Sequence, residues 1–78
     1  MIKVYTKDKC VQCDMTKRWL RNNGVGYEEI NIYHSPEALD YCKSRGFLAA
    51  PVIVAGDVAF SGFQPSKLRA LMEVNYGT

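Results

Sequence analysis

The amino-acid sequence is most informative over residues 2–13, which read IKVYTKDKCVQC. β-branched and aromatic residues dominate positions 2–6, and this pattern is typical of a β-strand. A short polar turn follows, after which Cys10 and Cys13 open a segment with helical periodicity. Two sulfur atoms are thereby placed at the start of a helix, where backbone N–H groups and the helix dipole favour negative charge. The stretch predicts a dithiol whose first sulfur ionises near neutral pH.

The helix that follows the cysteines is predicted over residues 11–23. Apolar residues recur along it at helical spacing, and they form its predicted apolar face: Val11, Met15, Trp19 and Leu20. Basic residues occupy the other face. Gly24 is the expected left-handed residue that ends the helix.

Three further strands and two further helices are predicted downstream. The strands cover residues 27–32, 52–55 and 58–60, and the helices run from Pro36 to Arg45 and onward from Pro65 or Ser66. Ser35 is the expected N-cap of the second helix. Residues 76–78 are expected to fray.

This order of elements, β-α-β-α-β-β-α, predicts one α/β domain over residues 1–78. A strand-helix-strand start requires a parallel pair with a right-handed crossover. The closing hairpin adds antiparallel strands. We therefore expect a mixed four-stranded sheet flanked by three helices. Residues 52–55 are apolar without alternation, so they should form a central strand covered on both faces.

Composition and charge exclude several classes of function. The 78 residues suffice for one domain with a small core, and a formal net charge of +2 is too small to indicate nucleic acid or a membrane surface as a partner. The sequence has no apolar run of about 18 residues and no secretory signal, so we expect a cytoplasmic protein. Three cysteines, an odd number, fit a catalytic or metal-binding pair in a reducing compartment better than a disulfide scaffold.

The spacing of the first two cysteines indicates redox chemistry. Cys10 and Cys13 lie on one helical face, so their sulfurs can join with little backbone movement. We expect Cys10, at the exposed helix start, to be the nucleophile and Cys13 to be the resolving thiol. A structural zinc site needs about four ligands, and beyond this pair the chain offers only Cys42 and His34. No metal site is expected, because both residues belong to a region far from Cys10 in the predicted topology. Cys42 has the pattern of a buried helix residue, and His34 that of a solvated turn residue.

Three segments near the cysteines allow two interpretations each. Lys7 either stabilises a thiolate or is a solvated surface residue, and it is a better candidate than Lys9 for the edge of the site. Pro51 fits an ordinary strand start, or a cis peptide bond that leaves backbone groups free to pair with a substrate peptide. In Ser61-Gly62-Phe63, Gly62 permits close approach of another backbone. Phe63 fits either an exposed partner contact or a buried residue under the last helix.

Five motifs resemble those of the NrdH-type redoxins, which are small proteins with a thioredoxin fold. They are Val4-Tyr5-Thr6-Lys7, Cys10-Val11-Gln12-Cys13, Thr16-Lys17, Ala50-Pro51-Val52, and Ser61-Gly62-Phe63 followed by Pro65. These motifs extend from the first strand to the start of the last helix. Glutaredoxins usually carry Pro-Tyr between the cysteines and thioredoxins carry Gly-Pro, so the Val-Gln pair is quite specific to this family.

The resemblance implies a thioredoxin-like fold and a dithiol-disulfide oxidoreductase. It implies a hydrogen donor for the catalytic subunit of class Ib ribonucleotide reductase, recharged by thioredoxin reductase with electrons from NADPH and holding no bound cofactor. It also implies a cis-proline at Pro51 and partner contacts around the dithiol, at Lys7, Val11, Gln12, Ala50, Pro51, Ser61, Gly62 and Phe63. A monomer is expected. The alternatives are a glutathione-dependent glutaredoxin and a non-enzymatic thiol-switch adaptor.

The chain departs from the family pattern at positions that bear on partner recognition. Asp8 replaces a frequent proline, and an acidic residue near Cys10 opposes thiolate formation. Phe60, Gln64 and Ser66 stand where the family often has Trp, Arg and Asp. Compared with glutaredoxins, the loop also lacks the aspartate that would anchor the glutathione amine, and this disfavours glutathione as the reductant.

Overall fold

The computed structural model describes residues 1–73, in which strands and helices alternate along the chain. The strands are β1 (Ile2–Thr6), β2 (Tyr27–Asn31), β3 (Val52–Ala55) and β4 (Val58–Ser61). The helices are α1 (Val11–Asn22), α2 (Pro36–Ser44) and α3 (Pro65–Glu73), and none of these three is both long and apolar enough to cross a membrane. The predicted order of elements is confirmed. The expected fraying of residues 76–78 lies outside the described residues.

The four strands form one mixed sheet in the order β2-β1-β3-β4. β1 pairs in parallel with β2, with Ile2 opposite Tyr27, as a strand-helix-strand start requires. β3 pairs antiparallel with β1 on one side and with β4 on the other. It is therefore a central strand, as predicted from its apolar run without alternation, and most of its residues are buried.

Two apolar clusters cover the two faces of the sheet. The larger involves α1 and α3 and contains Ile2, Val4, Leu20, Ile53, Ala55, Phe60, Leu68 and Leu71. The smaller involves α2 and contains Tyr5, Ala38, Cys42 and Val52. The neighbours Val4 and Tyr5 serve different clusters because successive side chains of a strand point to opposite faces. Cys42 is 4% exposed, which confirms its predicted core position.

The predicted apolar face of α1 is wrong at its first two positions. Val11 and Met15 are 73% and 41% exposed. The buried residues of the helix are instead Cys13, Thr16 and Leu20. Both sets have helical spacing, so spacing alone does not decide which of them meets the sheet. Thr16 is tolerated in the buried set because its hydroxyl donates a hydrogen bond of 2.8 Å to the carbonyl oxygen one turn earlier.

The predicted starts and terminating glycines of α1 and α2 are confirmed, although each helix ends one residue earlier than predicted, at Asn22 and Ser44. Ser35 caps α2, because its hydroxyl accepts a hydrogen bond from the Ala38 N–H at 3.3 Å, and Pro36 is the first helical residue. Gly24 and Gly46 have φ of +69° and +82° just after the two helices. This left-handed conformation is available to glycine without steric cost, so each glycine ends its helix and turns the chain toward the next strand.

Candidate active site

The two cysteines of the CVQC motif lie together at the N-terminus of α1. They form a disulfide, and their Cα atoms are 5.2 Å apart. Cys10 is the N-cap residue, with an extended backbone, and its sulfur accepts a hydrogen bond from the Cys13 N–H at 3.2 Å. Cys10 is 8% exposed and Cys13 is 1% exposed, which is the order that the sequence predicts. The sulfur nearer to solvent is therefore also the one that receives a backbone N–H and the positive end of the helix dipole.

The loop before β3 lies against this dithiol. The peptide bond between Ala50 and Pro51 is cis, which is the isomer that the resemblance implies. The Ala50 carbonyl oxygen lies 3.8 Å from the Cys10 sulfur. Pro51 is buried, and its carbonyl oxygen accepts a hydrogen bond from the Gly62 N–H at 2.9 Å. The fold thus brings two loops that are distant in the sequence to the side of Cys10.

Gln12, between the two cysteines, is hydrogen-bonded to the loop that joins β4 to α3. Its Oε1 accepts a hydrogen bond from the Phe63 N–H at 2.9 Å. Gly62 has a φ of +86°, and a Cβ there would lie 3.4 Å from the same oxygen, so glycine suits this turn. Gln64 Nε2 donates to the Ser61 carbonyl oxygen at 2.7 Å and so closes the loop on itself. The sequence predicts Gln12 only as a partner contact, and this intramolecular role is additional.

Replacing Gln12 by alanine is expected to loosen the β4–α3 loop while the rest of the fold persists. A hydrogen bond of this kind contributes about 0.5–1.5 kcal/mol. Its loss should raise the population of the locally open state by about 2- to 12-fold. Amide hydrogen exchange measured by NMR should therefore be faster at Phe63. The Gly62 amide, which donates to Pro51 instead, is the internal control. Unchanged exchange at Phe63 would mean that Gln12 does not hold the loop.

Exposed apolar side chains and a lysine lie in the segments that adjoin the dithiol. Val11 is 73% exposed, and Leu48, in the same loop as Ala50, is 93% exposed. Phe63 is half-buried and packs against the larger apolar cluster. It is therefore neither fully exposed nor fully buried, which are the two alternatives that the sequence allows. Lys7 is exposed and lines a cavity together with Ala50. The surface next to Cys10 therefore combines apolar contact area with positive charge.

The other residues considered from the sequence take structural or solvent-exposed positions. The Asp8 carboxylate accepts a hydrogen bond from Asn31 Nδ2 at 2.9 Å, so it is attached to the end of β2. His34 is exposed. Cys42 is a free, buried thiol, and burial raises its pKa, which keeps it protonated. Within residues 1–73, no group of three or more His, Cys, Asp or Glu side chains is arranged to hold a metal ion.

A charged network joins α1 to β1 and β2. Glu29 Oε2 accepts hydrogen bonds from Lys17 Nζ at 3.0 Å and from Thr6 Oγ1 at 2.9 Å. Burial opposes ionisation of Glu29, but the hydrogen bonds from Lys17 and Thr6 outweigh it and lower the pKa of the carboxyl. The same contact, together with the charge of Glu29, raises the pKa of Lys17. The sequence identifies Thr6 and Lys17 only as family-motif residues and contains no local signal for their link through Glu29.

The charge of Glu29 is expected to add a small, pH-dependent stabilisation. Because its folded-state pKa is lowered, this stabilisation is complete above the ordinary value of 4.5 and is lost as the pH falls through the lowered value. The side chain is 39% exposed, so the contribution should stay under about 1 kcal/mol. Denaturant unfolding of Glu29→Gln should show a deficit near neutral pH that becomes smaller when the pH is brought well below 4.5. A deficit of equal size at both pH values would contradict this electrostatic origin.

Comparison with protein families matches residues 2–60 of this chain to the glutaredoxin family model. The match extends from β1 into β4 and therefore includes both cysteines of the motif and Pro51. Among curated relatives, the glutaredoxin-like protein NrdH of Lactococcus lactis subsp. lactis is 48% identical over 71 residues, covering 91% of this chain and 99% of the relative. The NrdH protein of Escherichia coli K12 is 43% identical over 70 residues, covering 90% of this chain and 86% of the relative.

Solved structures show the same relationship. The glutaredoxin-like NrdH-redoxin of Escherichia coli, described as having a thioredoxin-like activity profile, superimposes with a TM-score of 0.87 at 43% identity, covering 90% of this chain and 92% of that one. The thioredoxin-like protein BC3987 superimposes with a TM-score of 0.83 at 30% identity, covering 91% and 99%. The chain therefore belongs to the glutaredoxin family, as one of its NrdH-type redoxins with a thioredoxin-like fold, and is a thiol-disulfide oxidoreductase.

Proposed function

We propose that this protein donates electrons to the catalytic subunit of class Ib ribonucleotide reductase and is recharged by thioredoxin reductase with NADPH. The observation that carries the proposal is the Cys10–Cys13 pair at the start of α1, in a chain that matches NrdH proteins over about nine-tenths of its length. The protein acts in the cytoplasm, as a monomer and without a bound cofactor. Its partners dock on the surface that surrounds Cys10.

In the first step, the Cys10 thiolate attacks one sulfur of the disulfide in the target. The target S–S bond breaks, and the leaving sulfur departs as a thiolate that takes up a proton. A mixed disulfide between Cys10 and the target remains. The hydrogen bond from the Cys13 N–H to the Cys10 sulfur supports this role, because a donor at 3.2 Å favours the charged form of the thiol.

In the second step, Cys13 loses its proton and attacks the Cys10 sulfur. The mixed disulfide breaks, the target leaves with its second thiol reduced, and a Cys10–Cys13 disulfide forms. Two electrons have then passed from the protein to the target. The Cα separation of 5.2 Å supports this step, because it lies within the range that a disulfide spans without backbone movement. Thioredoxin reductase then returns two electrons from NADPH and restores the dithiol.

Glutathione is the alternative reductant. The β4–α3 loop carries Ser61-Gly62-Phe63 without the aspartate that glutaredoxins use for the glutathione amine. In addition, the Phe63 N–H is already used by Gln12, so this backbone donor is not free for another acceptor. Both observations disfavour glutathione, and thioredoxin reductase is therefore the reductant that we propose.

A coupled assay tests the proposal. The protein and a class Ib ribonucleotide reductase are supplied with NADPH and either thioredoxin reductase, or glutathione with glutathione reductase, and deoxyribonucleotide formation is followed. We expect product with thioredoxin reductase and little with glutathione. Product only with glutathione would identify a glutaredoxin. No product with either system, combined with redox-dependent binding of a partner, would identify a thiol-switch adaptor.

A further inference from the structure

A cavity between α2 and the loop before β3 is not used by the mechanism above. Its volume is about 120 Å³, and its walls are largely apolar, with Tyr5, Leu39, Cys42, Phe47 and Val52 among them. We call it the α2 cavity. None of these five side chains carries a charge at neutral pH, and four of them belong to or pack against the smaller apolar cluster. A polar ligand would gain little binding free energy in this cavity. An apolar side chain would gain more, because it would be transferred from water to an apolar surface.

The α2 cavity adjoins the reacting sulfur. Ala50 lines the cavity, and its carbonyl oxygen lies 3.8 Å from the Cys10 sulfur. An extended chain advances about 3.3 Å per residue. A target segment whose cysteine meets Cys10 can therefore reach the cavity with a side chain one or two positions away.

The size of the α2 cavity suits one side chain. An apolar cavity of about 150 Å³ in a protein is large enough to bind benzene. The slightly smaller volume here therefore suits one leucine or methionine side chain. Leu48, 93% exposed, also lines the cavity, so an occupant would cover an apolar side chain that is otherwise in water.

Two lysines give the cavity a positive rim. Lys7 and Lys43 both line it, and both are exposed to solvent. In the part of the chain that the structure describes, neither of them forms an ion pair with a carboxylate. Like charges on one rim favour an occupant of the opposite charge and disfavour a basic one.

We propose that the α2 cavity binds an apolar side chain next to the target cysteine, while Lys7 and Lys43 attract a carboxylate that follows it. The occupant is thus a segment of the protein substrate with an apolar and an acidic residue beside its cysteine. This inference deepens the proposed function and rests on it for the presence of a protein target. It adds the chemistry by which the site selects among disulfides.

The test uses reduced protein and four short peptides of equal length, each with one internal disulfide. Leucine or serine stands next to the attacked cysteine, and aspartate or lysine stands beyond it. We expect the leucine–aspartate peptide to be reduced about tenfold or more faster than the serine–lysine peptide. Equal rate constants for all four peptides would overturn the proposal. Because the protein is reduced beforehand, this result does not depend on thioredoxin reductase, and the proposed function can stand or fail separately.

Variants of Cys42 test the apolar part of the selection. Cys42→Met should extend into the cavity and remove the preference for leucine, whereas Cys42→Ala leaves the space open and should keep it. The rate at which each variant reduces a small disulfide such as dithiobis(nitrobenzoate), which needs no cavity, is measured in parallel and normalises its peptide rates. A leucine preference that survives Cys42→Met, in a protein that remains folded by circular dichroism, would overturn the assignment of the cavity.

Variants of two exposed lysines test the proposed attraction between the cavity rim and an acidic residue of the target. Lys43→Gln should lower the preference for aspartate by about two- to fivefold, as expected for one exposed ion pair. Lys3→Gln is the matched control, because Lys3 is also exposed but does not line the cavity. An equal effect of the two variants would show that overall charge, rather than the cavity rim, selects the acidic peptide.

Discussion

Replacement of Cys13 by serine is expected to capture the target protein as a covalent complex and to stop turnover. Cys10 remains at the helix N-terminus and still attacks the target disulfide. A serine hydroxyl does not attack a disulfide at neutral pH, so the mixed disulfide through Cys10 accumulates. Each protein molecule should therefore bind one target molecule. Non-reducing electrophoresis and mass spectrometry of the complex measure this directly.

The matched control for this experiment is Cys10→Ser. This variant should form no complex and show no turnover, because Cys13 is 1% exposed and has little access to a target. Rapid turnover by Cys13→Ser would refute the resolving role of Cys13. A stable complex formed by Cys10→Ser would assign the attack to Cys13 instead.

Replacement of Leu20 by alanine is expected to have the largest effect on stability. Leu20 is fully buried in the larger apolar cluster, where α1 packs on the sheet. Removing such a side chain costs about 2–5 kcal/mol, because transfer free energy is lost and a cavity remains. The total free energy of unfolding of a small domain is only about 5–15 kcal/mol. Denaturant unfolding followed by circular dichroism should therefore show a strongly shifted midpoint.

Met15→Ala is the matched control on the same helix. Met15 is 41% exposed and lies outside the buried set of α1, so its loss should cost less than about 0.5 kcal/mol. Comparable losses for the two variants would mean that α1 packs with a different face than the one described. This pair of variants thus tests the correction to the sequence-based prediction of the helix face.

The order and limits of the elements can be predicted because their causes are local. Ser35 before Pro36 marks a helix start, and Gly24 marks a helix end, whatever the rest of the chain does. The choice of the buried face of α1, in contrast, does not have a local cause. Val11 and Met15 satisfy helical spacing as well as the buried set does, and only contact with the sheet selects between them.

In the candidate site, too, some features can be predicted from the local sequence and others cannot. The cysteine pair can be predicted because a spacing of three residues at a helix start places both sulfurs on the same face. The hydrogen bond between Gln12 and Phe63 joins residues 51 positions apart, and that between Thr6 and Glu29 joins residues 23 positions apart. No short-range pattern specifies such pairs. The α2 cavity also escapes sequence analysis, because it is a gap left by packing rather than a property of any one segment.

The hydrogen bond between Gln12 and the β4–α3 loop has a consequence for variation of the surface near Cys10. Its donor is a backbone N–H, which every residue except proline possesses. The contact therefore requires a particular side chain at position 12 but almost none at position 63. Phe63 also packs against the larger apolar cluster, and another apolar residue at position 63 would keep both that contact and the hydrogen bond. Gln12 therefore maintains the loop, while position 63 can vary among apolar residues to suit a different partner.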